Sequence, residues 1–198
     1  NPEKTEFILL PKTPLQDGTA YTLMVGYRQR EKEAEATTEI FHSTFTTLPS
    51  PPGTWSSDLQ VRLAEAKRFT RPLRTTGKYI DINLKSQVMT TFENGELVDA
   101  FIVSSGRPGM ETPLGEYLIR NKVPRTWSAR YALFMPYWMA ITPDGKYGIH
   151  ELPEWPGGYK EGANHLGRPV SHGCVRLGVG AAKTVYEWAS EGTTVVVH

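Results

Sequence analysis

A mainly β protein with one or two helices is predicted by this sequence, and three observations predict it. Short runs rich in β-branched and aromatic residues recur along the chain, punctuated by Asp-Gly and Asn-Gly pairs. Helical spacing of apolar residues occurs in two stretches, 57–69 and 180–190. A proline-rich segment, "LPSPPGT" at 48–54, separates a short leading part from a longer one. The expected organisation is a β module over 1–49, a linker and helix over 50–75, and a β-rich domain over 76–198.

In the leading part "EFILL", "YTLMVGY" and "TEIFHSTFTT" read as strands, and "QDGTAY" supplies a turn before the second. The pattern "LQDGTAYTLMV … FTTLP" resembles the closing strands of immunoglobulin-like or fibronectin-type sandwiches. Three strands fall short of the roughly seven of a full sandwich, so a partial immunoglobulin-like module is expected. The charged run "RQREKEAE" at 28–35 reads as a solvated strand edge or hairpin tip. Over 57–69, Leu59, Leu63 and Ala66 recur at helical spacing behind a cap at Ser57 or Asp58. From Lys78 onward "KYIDINL" alternates, and "QVMTTFENGELVDAFIVSSG" reads as a hairpin turning at Asn94-Gly95. "GEYLIRNKV", "YALFMPYWMAIT", "YGIHEL" and "TTVVVH" read as further strands, the middle two arranged around Asp144-Gly145. "GAAKTVYEWAS" reads as a helix directly after the lone-cysteine segment, with Val185 and Trp188 on one face and Gly192 stopping it.

Composition excludes several classes of function. A hydrophobic content of 39 % and 22 % charged residues are globular values, so a buried core is expected. Net charge is +1 with no basic block, which argues against nucleic acid as a partner. No apolar run reaches the ~18–20 residues of a membrane span. Asn1 is not an initiator methionine, so a processed chain or a fragment is expected and compartment cannot be read from its ends. One cysteine excludes an internal disulfide framework.

That cysteine, Cys174, lies in "VSHGCVRLG" at 170–178. A structural thiol usually sits among aliphatic side chains, whereas this one is flanked by Ser171, His172, Gly173 and Arg176. A nucleophilic thiol needs exposure and a nearby cation, histidine or positive dipole to lower its pKa. Gly173 permits a sharp turn and close approach of another molecule. If the segment is a loop feeding the following helix, its backbone N–H groups could face an oxyanion. A base is also required, and His150, at the end of a predicted strand, is the better candidate because nucleophile and base commonly come from separated segments.

"IHE" at 149–151 followed by "SHGCVRL" at 171–177 resembles the signature of the YkuD family of L,D-transpeptidases, bacterial cysteine enzymes that cross-link peptidoglycan. The resemblance extends over roughly 76–198, through the opening hairpin, "TPLGEYLI" at 112–119 and "MPYWMAI" at 135–141. It implies a YkuD-like β-sandwich or barrel. It also implies that Cys174 is the nucleophile, His150 its activator and His172 a second histidine lining the pocket. Glu151 would orient His150 through its backbone carbonyl. Gly173 and Cys174 would offer N–H groups to the oxyanion, Arg176 would meet a substrate carboxylate, and Ser171 would help bind substrate. The stretch between His150 and Ser171 is longer than is usual in the family, and its excess, "PEWPGGYKEGANH", is expected to shape or cover the cleft. The implied substrates are peptidoglycan stem peptides, with carbapenem-type β-lactams as inhibitors, no cofactor, and a location in the cell wall or periplasm.

Neighbouring strand residues face opposite ways, so Tyr137 and Trp138 cannot both line the cleft, and Tyr137 is the one expected there. Trp155 is the expected loop aromatic. His150, His165, His172 and Cys174 could also be read as zinc ligands, but the spacing lacks Cys-x-x-Cys or His-Glu-x-x-His. A carboxypeptidase, a wall-protein attachment enzyme and a non-catalytic wall-binding module are the other readings.

Overall fold

The computed structural model describes residues 9–27, 38–47, 49–50 and 52–198. The chain divides into two compact units, Asn1–Pro51 and Pro52–His198.

In the first unit, β1 (Ala20–Tyr27) and β2 (Thr38–Thr46) pair antiparallel, with an irregularity at Val25/Gly26. The Thr47 hydroxyl closes the pair by accepting from the Thr19 N–H at 2.8 Å. Leu9 and Leu10, at the end of "EFILL", belong to no strand, and residues 6–8 and the run at 28–35 lie outside the described residues. A single antiparallel pair does not establish an immunoglobulin-like module.

The second unit opens with α1 (Leu59–Phe69). Of the two candidate caps Asp58 is the one used: its carboxylate accepts from the Gln60 and Val61 N–H groups at 2.8 and 3.0 Å. Ala66 packs with Val88 and Ala100 beneath it. The strands follow as β3 (Lys78–Asn83), β4 (Val88–Glu93), β5 (Glu96–Ser104), β6 (Gly115–Leu118) and β7 (Asn121–Ser128). Then come β8 (Leu133–Ala140), β9 (Gly148–Glu151), β10 (Val175–Leu177), α2 (Ala181–Trp188) and β11 (Thr194–Val197). Asn94 and Gly95 turn the β4–β5 hairpin at φ of 52° and 82°, the left-handed pair that a two-residue hairpin requires.

These strands form one nine-stranded sheet in the order β6-β11-β3-β4-β5-β10-β9-β8-β7. Its two edge strands, β6 and β7, are neighbours in sequence, joined by Ile119 and Arg120 alone. The sheet is therefore curled until its edges nearly meet, because so short a link cannot bridge a flat sheet. The Ile119 N–H donates to Thr193 O near β11 and the Arg120 N–H to Ala140 O of β8, so adjacent residues tie the two edges. "GEYLIRNKV" is thus two strands rather than one.

A core of Ile80, Ile82, Met89, Met139, Ile149 and Leu177 fills the curl, with Ala182 and Val185 of α2 packed against it. The helix follows the cysteine segment directly, and the last residues of that segment form β10, which pairs with β9 and β5. One expectation is corrected here: the helix ends at its cap Ala189, and Gly192 belongs to the separate turn closed by the Thr193 N–H on Ser190 O.

Candidate active site

β9 and β10 run parallel, with Val175 opposite Ile149 and Arg176 opposite His150. Side chains alternate along a strand, so His150 shares one sheet face with Arg176, and Cys174, two residues earlier, continues that face. β8 runs antiparallel beside β9 and adds Trp138, whose ring lies 5.8 Å from that of His150. Gly148 leaves room for this indole: a Cβ there would stand 2.6 Å from it. Cys174, His150, His172, Arg176 and Trp138 all line a cleft of about 930 Å³.

His150 is 2 % exposed, and its Nδ1 lies 2.5 Å from the carbonyl oxygen of Glu151. A carbonyl only accepts, so Nδ1 carries the proton and Nε2 is the free basic nitrogen. Burial, and then the charge of Arg176, push the His150 pKa down to about 3 against the pull of the Glu151 carbonyl. Burial likewise raises the Cys174 thiol, opposed by the Gly148 N–H and by Arg176. The sulfur is partly buried rather than freely exposed. The two groups rest as a thiol, directed at the Lys146 carbonyl 3.9 Å away, and a neutral imidazole, not as the standing thiolate that the flanking residues suggest.

His172 stacks on Tyr131 with ring centroids 4.6 Å apart. Burial and the charges of Arg107, Arg176 and Arg130 lower its pKa, so it too is neutral. The cysteine turn itself is fixed from behind. Gly173 sits at φ 115° with the Tyr147 ring 2.5 Å from where a Cβ would be. Its carbonyl accepts from the Thr112 hydroxyl at 2.8 Å, and the same oxygen of Thr112 accepts from the Gly106 N–H at 3.0 Å. Thr112→Val keeps the shape and leaves both buried backbone groups unpaired, so a loss of about 2–3 kcal/mol is expected, read as a lower midpoint in urea unfolding.

Two expected cleft residues are elsewhere. Ser171 is fully buried: its hydroxyl donates to Cys174 O at 2.5 Å and accepts from the Gly173 N–H at 3.0 Å. It shapes the turn and is not placed to hold substrate. The Gly173 N–H is thereby occupied, which leaves Cys174 as the main-chain donor of the pair. Tyr137 packs into the core against Tyr186, not into the cleft. Leu133 and Met135 line the cleft, and simple alternation would put Tyr137 there next. Tyr137 instead adopts φ 54°, a left-handed residue within a strand, which reverses the alternation and turns Trp138 inward.

Trp155 lines the cleft from the long loop, packed on Tyr159 at 5.5 Å. His165 lines it as well. The side chain of Glu151 turns away: it pairs with Lys160 and accepts from the Gly180 N–H at the start of α2. Glu161 was not singled out by its sequence context, yet it lines the cleft and grips Arg176. A lone acid in a Gly-rich loop carries no signal of that kind. Among the described residues no group of three or more His, Cys, Asp or Glu side chains is arranged to hold a metal.

A curled sheet that brings a thiol and a neutral imidazole to one cleft is the framework of an enzyme active site. Residues 77–197, more than half of the chain, match the YkuD family, the L,D-transpeptidase catalytic domain, and the chain belongs to that family. It is 30 % identical over 125 residues to YciB of Bacillus subtilis, a provisionally named L,D-transpeptidase, covering 60 % of this chain and 64 % of that protein. With the similarly named YkuD of Bacillus licheniformis it shares 28 % identity over 98 residues, covering 50 % of this chain and 52 % of that one. The chain thus spans less than two thirds of the curated relatives it matches. Among solved structures, an L,D-transpeptidase from Stackebrandtia nassauensis superposes with a TM-score of 0.58 at 25 % identity, over 72 % of this chain and 67 % of that one.

Proposed function

We propose that this domain transfers acyl groups in peptidoglycan through a Cys174 thioester, joining stem peptides by 3→3 cross-links. The observation that carries this reading is the register of β9 and β10, in which His150 keeps Nε2 free on the face that Cys174 continues into the same cleft. Nε2 takes the thiol proton as sulfur attacks the carbonyl carbon of the third residue of a tetrapeptide stem. The Cys174 N–H receives the developing oxyanion. The tetrahedral intermediate collapses, the bond to the terminal D-alanine breaks, and Nε2 returns the proton to the leaving amine. A side-chain amine of a second stem then attacks the thioester, giving an amide and regenerating the thiol. His172 on Tyr131, with Trp138 and Trp155, bounds the cleft that orients the donor. The same thiol would open the ring of carbapenem-type β-lactams.

Such a reaction places the domain outside the cytoplasmic membrane, at the wall. No described helix is long and apolar enough to cross a membrane. The test is incubation with a disaccharide-tetrapeptide, followed by mass spectrometry, for the parent and Cys174→Ala. Dimers lacking one D-alanine, made by the parent alone, are expected. Free tripeptide would mean that water is the acceptor and the domain is a carboxypeptidase. An untouched tetrapeptide together with an unlabelled Cys174 after carbapenem treatment would overturn the reading.

A further inference from the structure

Arg176 is a buried cation placed where it can govern the reacting pair. It lies two residues from Cys174 along one sheet face and opposite His150 in the neighbouring strand. Its Nη1 donates to both carboxylate oxygens of Glu161, at 2.9 and 3.1 Å, and the two side chains are 9 % and 8 % exposed. Glu161 is itself anchored in the loop, its N–H donating to Pro153 O at 2.9 Å. Among the described residues that line the cleft it is the only acid.

The other charged or titratable groups around the pair are cations or rings. Lys146 and Tyr147 come from the β8–β9 turn, and Arg130 and Tyr131 from the β7–β8 turn. His172 comes from the cysteine turn, and Arg107 acts on it from the segment after β5. His165, in the same loop as Glu161, places Nδ1 3.1 Å from the Glu161 carboxylate. An uncancelled guanidinium beside a thiol favours the thiolate, and beside an imidazole it disfavours the imidazolium. Arg176 acts on both groups in these senses.

We propose that Glu161 is a positioning residue for the acyl transfer: it fixes Arg176 and offsets part of its charge, so that Cys174 rests as a thiol and ionises only when His150 takes its proton. This role rests on the reading of Cys174 as nucleophile and His150 as base. It also gives the long loop a task beyond covering the cleft, since that loop supplies the counter-ion.

The single cysteine makes the test clean, because every thiol-alkylation event reports Cys174. Iodoacetamide labelling is followed by mass spectrometry from about pH 5 to 10 for the parent, Glu161→Gln, Arg176→Gln and the double variant. Near-UV circular dichroism checks the fold of each. Glu161→Gln is expected to shift the labelling midpoint to lower pH and to speed labelling at pH 7 by about three- to fivefold. That is the net effect of a roughly tenfold gain in thiolate and a partial loss of nucleophilicity. Arg176→Gln is expected to shift the midpoint the other way. The double variant, which leaves no unpaired buried charge, is expected within about twofold of the parent at pH 7. A folded Glu161→Gln protein with an unchanged or higher midpoint would overturn the proposal. Should only the double variant fold, a rate more than about threefold from the parent would overturn it equally. Labelling needs no stem peptide, so a parent that labels as expected but forms no cross-link would remove the proposed reaction and leave the counter-ion role standing.

Discussion

His150→Gln is expected to slow acylation of Cys174 at pH 7 by about 10²–10⁴-fold, with the cleft otherwise intact, because it removes the free basic nitrogen Nε2 from the shared face of β9 and β10. Carbapenem adduct formation followed by mass spectrometry measures it. The pH dependence distinguishes this pair from a thiolate–imidazolium pair. With His150 held neutral down to about pH 3, acylation by the parent should show no inflection near pH 6.5, where an ordinary histidine titrates. A clear inflection there, removed by the substitution, would sink the neutral-pair reading.

The same group links pH to stability, and its sign can be stated. In the unfolded chain His150 binds a proton near pH 6.5, while in the fold it resists protonation until about 3. Between those values the unfolded state binds more protons, so stability is complete above about pH 6.5 and falls as pH drops toward 3. His198 works in the opposite sense. Its hydrogen bond with Asp81 raises its pKa, and the stability it adds below the ordinary histidine range is lost as pH rises through the raised value. Thermal unfolding should show a parent that loses Tm between about pH 7 and 4, and a His150→Gln variant that loses distinctly less.

Gly173→Ala is expected to carry the second large effect. At φ 115° any L side chain is strained, and the new Cβ would meet the Tyr147 ring at 2.5 and 3.0 Å. Relief requires movement of either the Tyr147 ring or the turn that Thr112 and Ser171 hold. Backbone strain together with overpacking should cost about 2–4 kcal/mol. The chemical effect should exceed the structural one, since a displacement of about 1 Å in a reacting group can cost roughly 10²-fold. Differential scanning calorimetry and the carbapenem adduct rate measure the two separately. A variant that melts with the parent and acylates at its rate would show that the turn tolerates a side chain and that Gly173 has no such duty.

Most of the strand positions along the chain could be read from local chemistry, because turns and alternation are short-range. The Asn94-Gly95 hairpin and the strands of "KYIDINL", "YGIHEL" and "TTVVVH" stand where their residues place them. The strand β10 could not be read this way. Its three residues are too few for a periodic signal, and it exists because β5 and β9 flank it. The bend at Ile119–Arg120 was hidden for a similar reason, as the residues that divide "GEYLIRNKV" are held by opposite edges of the sheet.

By itself the sequence determined that this is a β-rich protein with a single cysteine in a turn where Gly173 permits a sharp bend. It also offered His150 as the candidate base for that cysteine. Those are properties of residue type and order, and they depend on little beyond the nearest neighbours. The tertiary structure decided the rest. It placed Ser171 behind the turn, replaced Tyr137 by Trp138 through one left-handed residue, and set Glu161 against Arg176. It also made Cys174 and His150 a neutral pair, because desolvation is created only when distant strands close over a group. Flanking residues can suggest a charge, but burial sets its cost.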